Sequence, residues 1–220
     1  MFFIPQVKKF QARSTNLNLS SQNNLLTTQT IQAHCTFLSG SQLSLLSCKG
    51  TSIAHCPLSN AYFSAKPFPL REALDENVKV GLGTDVAGGY SLDMMNAMRQ
   101  AVIVSRMREG SRVMEMAERD SKLSIDWKEA LFLATRGGAT ALGLQGMFGV
   151  GLPFDAQESE LKEQIEWLLM VCAVKLYEES DGMGVGGLDY FESGDEIEKW
   201  WSVGDVRNRM GMWIQGRRLP

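Results

Sequence analysis

Short apolar runs alternate with segments of helical spacing over the first two thirds of the chain. Thr30-Ile31-Gln32-Ala33 reads as a strand that ends at His34. Leu38-Ser39 opens a helical pattern with Leu43, Leu45 and Leu46 apolar, and Lys49-Gly50 stops it. Thr51-Ser52-Ile53-Ala54 is a second strand-like run and it too ends in a histidine, His55. Cys56-Pro57-Leu58-Ser59-Asn60 is expected as a loop, because Pro57 has no N–H to give to a ladder. Residues 70 to 77 read as a short helix and Val78 to Leu82 as a third strand, with Asp85 just past its end. Gly88-Gly89 then predict a tight turn, and Ser91 a cap for the next helix.

That helix is expected over Ser91 to Glu109, with Leu92, Met95, Met98, Val102 and Met107 at near-helical spacing. Asp126-Trp127-Lys128-Glu129 has capping-box spacing and predicts a helix to about Arg136, which Gly137-Gly138 should stop before a further turn over Ala139 to Leu144. After Leu144 the pattern changes. Gly146, Gly149 and Gly151, then Pro153-Phe154-Asp155-Ala156, predict turns and a short strand. Residues 158 to 179 read as helical, with Leu161, Ile165, Leu168, Leu169 and Cys172 on one face. The glycine-rich 182 to 187 lacks the Lys-Ser/Thr of a phosphate loop and reads as a loop. A helix from near Asp195 to Trp200-Trp201 and a strand and turn over Met212 to Leu219 complete the pattern.

Three strand–helix units in succession predict an α/β fold with a parallel arrangement. They place His34, His55 and Asp85 at corresponding strand ends, where the side chains of a parallel αβ barrel converge on one mouth. These are the only two histidines in the chain.

Composition changes this picture little. The chain has 220 residues, 44% of them hydrophobic and 21% charged, as in a globular protein with a sizeable core. A net charge of -3 argues neither for nucleic acid nor for an acidic membrane surface, and neither is expected as a partner. No segment has the roughly 18 uninterrupted apolar residues of a membrane span, and a cytoplasmic protein is the expectation. The four cysteines form no C-x-x-C pair and read as reduced thiols. No acidic residue precedes Glu72, and residues 1–22 are basic, Ser-rich and interrupted by Pro5. They are expected to be a disordered or unrelated leader.

Ser52-Ile53-Ala54-His55-Cys56-Pro57-Leu58-Ser59-Asn60, Ala33-His34 and Gly81-Leu82-Gly83-Thr84-Asp85-Val86-Ala87-Gly88-Gly89 together resemble the amidohydrolase superfamily, most closely its guanine deaminase branch. Ala134-Thr135, Gly137-Gly138-Ala139, Ala141-Leu142-Gly143-Leu144 and Gly204-Asp205 add to the resemblance. It implies the C-terminal part of a (β/α)8 barrel, incomplete, with remnants of a small β-domain at the C-terminus. Residues 23–150 would be the partial barrel, and 151–220 its last helices and the β-domain remnant. The implied activity is zinc-assisted hydrolysis of guanine, or a related purine, to xanthine and ammonia, usually in a homodimer. Asp85 would be the zinc ligand of the last strand and a catalytic group. His34 would be the catalytic histidine that polarises substrate, and His55, Ser59 and Asn60 would line the pocket. The family takes its other zinc ligands from a His-x-His and from a His followed three residues later by Glu. With two histidines, this chain has neither motif, so zinc is not expected to be retained by it alone. The alternatives are a catalytically inactive fragment, or an amidohydrolase acting on another purine or a triazine.

Overall fold

Three β-strands built from the predicted apolar runs lie side by side and parallel, in the order β1 (Ile31–Ala33), β2 (Ser52–His55), β3 (Val80–Leu82). Ala33 is in register with Ala54, and Ala54 with Gly81, so the three C-terminal ends are level. The computed structural model of the chain describes residues 23–64, 66–114, 122–144, 146–152, 154–159, 168–170 and 194–220. These fall into two compact units, divided between Gln145 and Gly146. Residues 1–22, expected as a leader, and the glycine-rich 182 to 187 lie outside the described residues.

In the first unit, helix α1 (Gly40–Lys49) returns the chain from β1 to β2. Ser39 and Gln42 form its capping box, and Gly50 closes it in the left-handed conformation. Leu43 and Leu46 are its buried residues and Ile53 is the buried centre of β2. The connection after β2 corrects the expectation of a loop, because Pro57 to Phe63 is a helix, α2. Proline at its first position is compatible with this, since that N–H has no intrahelical partner in any case. Helix α3 (Leu70–Asp75) then leads into β3.

Helix α4 (Met94–Met114) starts three residues later than expected. Its first turn is held by Asp93, whose Oδ1 accepts from the Met95 N–H at 3.0 Å, while Ser91 Oγ accepts from the Asp93 N–H. Met95, Met98, Ala101, Val102 and Ser105 form the buried stripe. Leu92 and Met107, expected on that face, are exposed. Arg108 reaches from α4 to α3 and donates two hydrogen bonds to the Glu72 carboxylate, at 3.0 and 2.7 Å.

The predicted capping box opens α5 (Trp127–Phe132), where Glu129 N donates to Asp126 Oδ1 at 2.9 Å and Asp126 N to Glu129 Oε2 at 3.0 Å. Gly137-Gly138 do not stop this helix. The backbone widens into a single π-helical stretch, Leu133–Gly137, and continues as α6 (Gly138–Ala141). The glycines serve close approach instead: a β-carbon on Gly81 would meet Gly138 Cα at 2.8 Å, and one on Gly137 would meet the Val80 carbonyl oxygen at 2.8 Å. The helix thus lies against the backbone of β3.

The second unit contains an antiparallel sheet in the order β5 (Leu168–Met170), β4 (Ala156–Ser159), β6 (Arg209–Ile214), β7 (Arg217–Arg218). Strands β4 and β5 overturn the helix expected over 158 to 179 wherever that segment is described. In β4, Gln157 and Glu158 are half-buried and Ser159 is buried. Gln215-Gly216, both at positive φ, make the two-residue turn between β6 and β7. Helix α7 (Gly194–Val203) buries Ile197 and Trp200. No helix among the described residues is long and apolar enough to cross a membrane.

Candidate active site

The level ends of β1, β2 and β3 bring His34, His55 and Asp85 into one cluster, which α2 completes with Ser59 and Asn60. All five residues singled out in the sequence therefore meet. His34 follows β1 directly, and its N–H donates to the Ala54 carbonyl at 3.0 Å, anchoring the strand end to β2. His55 ends β2, and its carbonyl accepts from Gly83 N–H at 2.9 Å, which fixes the approach to Asp85.

Two site residues sit in strained backbone. His34 and its neighbour Cys35 have φ of 68° and 51°, and Asp85 has φ of 50°. Consecutive non-glycine residues in the left-handed region are costly and persist where the surroundings hold them. Around Asp85 the holding is visible: its carbonyl accepts from both Gly88 N–H, at 2.7 Å, and Gly89 N–H, at 2.6 Å. The tight turn predicted from Gly88-Gly89 is thus the device that sets the Asp85 backbone. A β-carbon on Gly88 would meet Asp85 Cγ at 2.8 Å, so only glycine leaves the carboxylate where it is.

The side chains form two hydrogen-bonded groups, Ser59 with Asp85 and His34 with Asn60 and His55. Ser59 Oγ donates to Asp85 Oδ2 at 2.7 Å. The same carboxylate oxygen lies 3.7 Å from His34 Nε2, too far for a hydrogen bond. On its other side, His34 Nδ1 is 2.8 Å from Asn60 Oδ1, and Asn60 Nδ2 is 3.4 Å from His55 Nδ1. Ser59, Asn60 and His55 are buried, whereas the His34 and Asp85 side chains keep 16% and 13% exposure. Only the latter two therefore offer themselves to a molecule at the mouth.

Burial sets the state of His55. Its ring lies 5.0 Å from that of Phe68, and desolvation, aided by the charges of His34 and Arg108, pushes its pKa down to about 3. It is a neutral imidazole at ordinary pH. Burial also pushes the Cys35 thiol up to about 12, which makes it unreactive. Among the described cysteines, Cys35 and Cys56 are buried and Cys48 is exposed; all three are free thiols.

Sequence reasoning missed the part played by Asn60, which joins the two histidines. A signal was available: Ser59 and Asn60 are adjacent in the first turn of a helix that starts directly after a strand-end histidine. Reading that stretch as a loop hid it.

The cluster falls short of a zinc site. Among the described residues, no group of three His, Cys, Asp or Glu side chains converges to hold a metal. His34 and Asp85 supply two groups, whereas a hydrolytic zinc takes roughly three protein ligands and a water.

The sequence matches the family model described as Amidohydrolase family over residues 6–162. The chain belongs to the amidohydrolase family. Human guanine deaminase is 46% identical over 203 residues, a match that covers 90% of this chain and 40% of the relative. The solved structure of E. coli guanine deaminase superposes with a TM-score of 0.65 at 26% identity, over 93% of this chain and 42% of that one. An adenosine deaminase from Xanthomonas campestris with bound zinc shares the fold, with a TM-score of 0.63 at 22% identity over 92% and 39% of the two chains. This amidohydrolase chain thus spans about two fifths of the length of the relatives it matches.

Proposed function

We propose that the chain carries the substrate-facing strand ends of a guanine deaminase-like amidohydrolase, which hydrolyses guanine to xanthine and ammonia. The observation that carries this reading is the meeting of His34, Asp85 and Ser59 at the level ends of three parallel strands. The reaction adds water across the carbon that bears the amino group, then breaks the C–N bond and releases ammonia. A positioned carboxylate can take the proton from the water and return it to the leaving amine, and Asp85 is that group. Its hydrogen bond from Ser59 orients the carboxylate for this transfer. His34, the other partly exposed group, faces substrate and intermediate. His55, Ser59 and Asn60 form the buried wall behind them.

Zinc is the cofactor in this reading, with Asp85 as one ligand. Because the described residues do not form a three-ligand site, the remaining ligands come from outside them. Residues 23–150 would be barrel, and the antiparallel sheet within 151–220 supports its reading as a β-domain remnant. The same shortage of ligands favours a second reading, in which this polypeptide alone is an inactive fragment of such an enzyme.

A fusion tests the activity. Residues 23–220 would replace the matching segment of the human relative, and a panel of guanine, adenine and a triazine would be followed by ultraviolet absorbance. Selective loss of guanine is expected. Turnover of the triazine or adenine alone would reassign the substrate, and no turnover by a folded, zinc-loaded fusion would leave the fragment reading.

A further inference from the structure

His34 stands at the tip of a γ-turn. The Cys35 N–H donates to the Ala33 carbonyl at 2.9 Å, and His34 between them has φ of 68°. A γ-turn of this hand is the rare and strained one. Cys35 follows at φ 51°, so the strain spans two residues that are not glycine. At Asp85 the Gly88 and Gly89 N–H groups hold such a backbone, but the neighbours of His34 are Ala33 and Cys35. Here the hold comes from helix α2, at both of its ends. From its first turn, Asn60 Oδ1 lies 2.8 Å from His34 Nδ1. At its C-terminal cap, Ser64 Oγ donates to Thr36 Oγ1, two residues beyond His34, at 3.1 Å. When the Ser64 proton turns to the Lys66 carbonyl, at 3.0 Å, the Thr36 hydroxyl has a proton of its own to donate in its place. Cys35 is fully buried and Thr36 only 4% exposed, so the contact is sheltered from water.

We propose that Thr36 and Ser64 are positioning residues for His34: their hydroxyl contact pins the chain just past the γ-turn to the end of α2 and so keeps His34 in the left-handed backbone that presents its ring to the site mouth. Three points fix the turn. The His34 N–H is held by the Ala54 carbonyl, the ring by Asn60, and the chain beyond it by Ser64. Without the third, the backbone relaxes toward negative φ, which residues other than glycine favour. The ring then leaves its place beside the Asp85 carboxylate. The consequence for turnover rests on the guanine deaminase-like reading; the consequence for the backbone does not.

The backbone of His34 gives the test. A residue at positive φ brings its own amide and α protons close together. The full, 15N-labelled chain should therefore show a strong intraresidue Overhauser effect between these protons at His34, well above that of Ile53 in strand β2. Thr36→Val, which keeps the shape and removes the hydroxyl, and Ser64→Ala should each weaken the effect to the level of a strand residue. Thr36→Ser should restore it. In the fusion enzyme, Thr36→Val should lower guanine turnover by about 10- to 100-fold, the scale of a displaced reacting group, with Thr36→Ser close to the parent. A contact that only stabilises the fold would lower the urea midpoint and leave the His34 signal unchanged, and that result would overturn the proposal. A weak effect in the wild type would overturn it even where no variant folds. The spectrum needs neither guanine nor metal, so a fusion without turnover counts against the proposed activity and not against the positioning of His34.

Discussion

Ser59 Oγ donates to Asp85 Oδ2 at 2.7 Å, and through this bond the first turn of helix α2 fixes the carboxylate delivered beyond strand β3. The donor is buried and the acceptor half-buried, so the bond is sheltered from water. Removing a hydrogen bond to a charged group costs about 1.5–3 kcal/mol. Ser59→Ala in the fusion enzyme is therefore expected to lower guanine turnover roughly 10- to 100-fold, each tenfold step being about 1.4 kcal/mol. Steady-state ultraviolet assays check it; unchanged kcat and KM would show that the bond does not serve the reaction.

Gly88 is the second support of Asp85. Its N–H donates to the Asp85 carbonyl and its missing side chain leaves room for the carboxylate. Gly88→Ala should displace the carboxylate and remove most turnover while the far-ultraviolet circular dichroism stays that of the parent. An active Gly88→Ala enzyme would mean that the carboxylate tolerates a shift or that Asp85 does not react.

The contact between the widened helix and β3 predicts a stability effect away from the site. A β-carbon on Gly81 meets Gly138 Cα, which is backbone and cannot swing aside. Gly81→Ala is expected to cost about 1–3 kcal/mol, the usual range for overpacking. Gly110→Ala, on a helix with open space around the new methyl, should be neutral or stabilising. Urea unfolding midpoints of the two variants give the comparison.

His55 gives the protein an acid-sensitive element. Its folded-state pKa, about 3, is below the ordinary imidazole value of 6.5, so the unfolded chain binds the proton more readily. A group depressed in this way contributes stability that is complete above pH 6.5 and is lost as pH falls toward 3. The expected slope in that window is about 1.4 kcal/mol per pH unit for one proton. His55→Phe should flatten the pH dependence of the denaturation midpoint there. An equally steep dependence in the variant would place the acid sensitivity elsewhere.

The strand ends were legible in the sequence because short apolar runs closing on a polar residue are local signals. Ile31–Ala33, Ser52–His55 and Val80–Leu82 all lie within the predicted runs, and the cluster of His34, His55 and Asp85 follows from their parallel order. What stayed hidden depended on partners distant in the chain. Pro57 reads as a breaker until it is seen at the first position of a helix. Gly137-Gly138 read as a stop, yet their role is set by Val80 and Gly81, more than fifty residues earlier. Leu168 and Leu169 fit a helical face as well as a strand, and pairing with β4 selects the strand. The link between the two histidines through Asn60 requires coordinates.

The most direct measurement is a paired zinc and guanine assay on the fusion enzyme and on this chain alone. The account predicts about one zinc per fusion molecule with guanine consumption, and loss of both in Asp85→Ala. The 220-residue chain, in which His34 and Asp85 are the two groups of the cluster turned to the mouth among the described residues, should hold well under one zinc and leave guanine intact. A fusion that consumes guanine equally well with Asp85→Ala, or a chain that binds one zinc and turns guanine over alone, would contradict it.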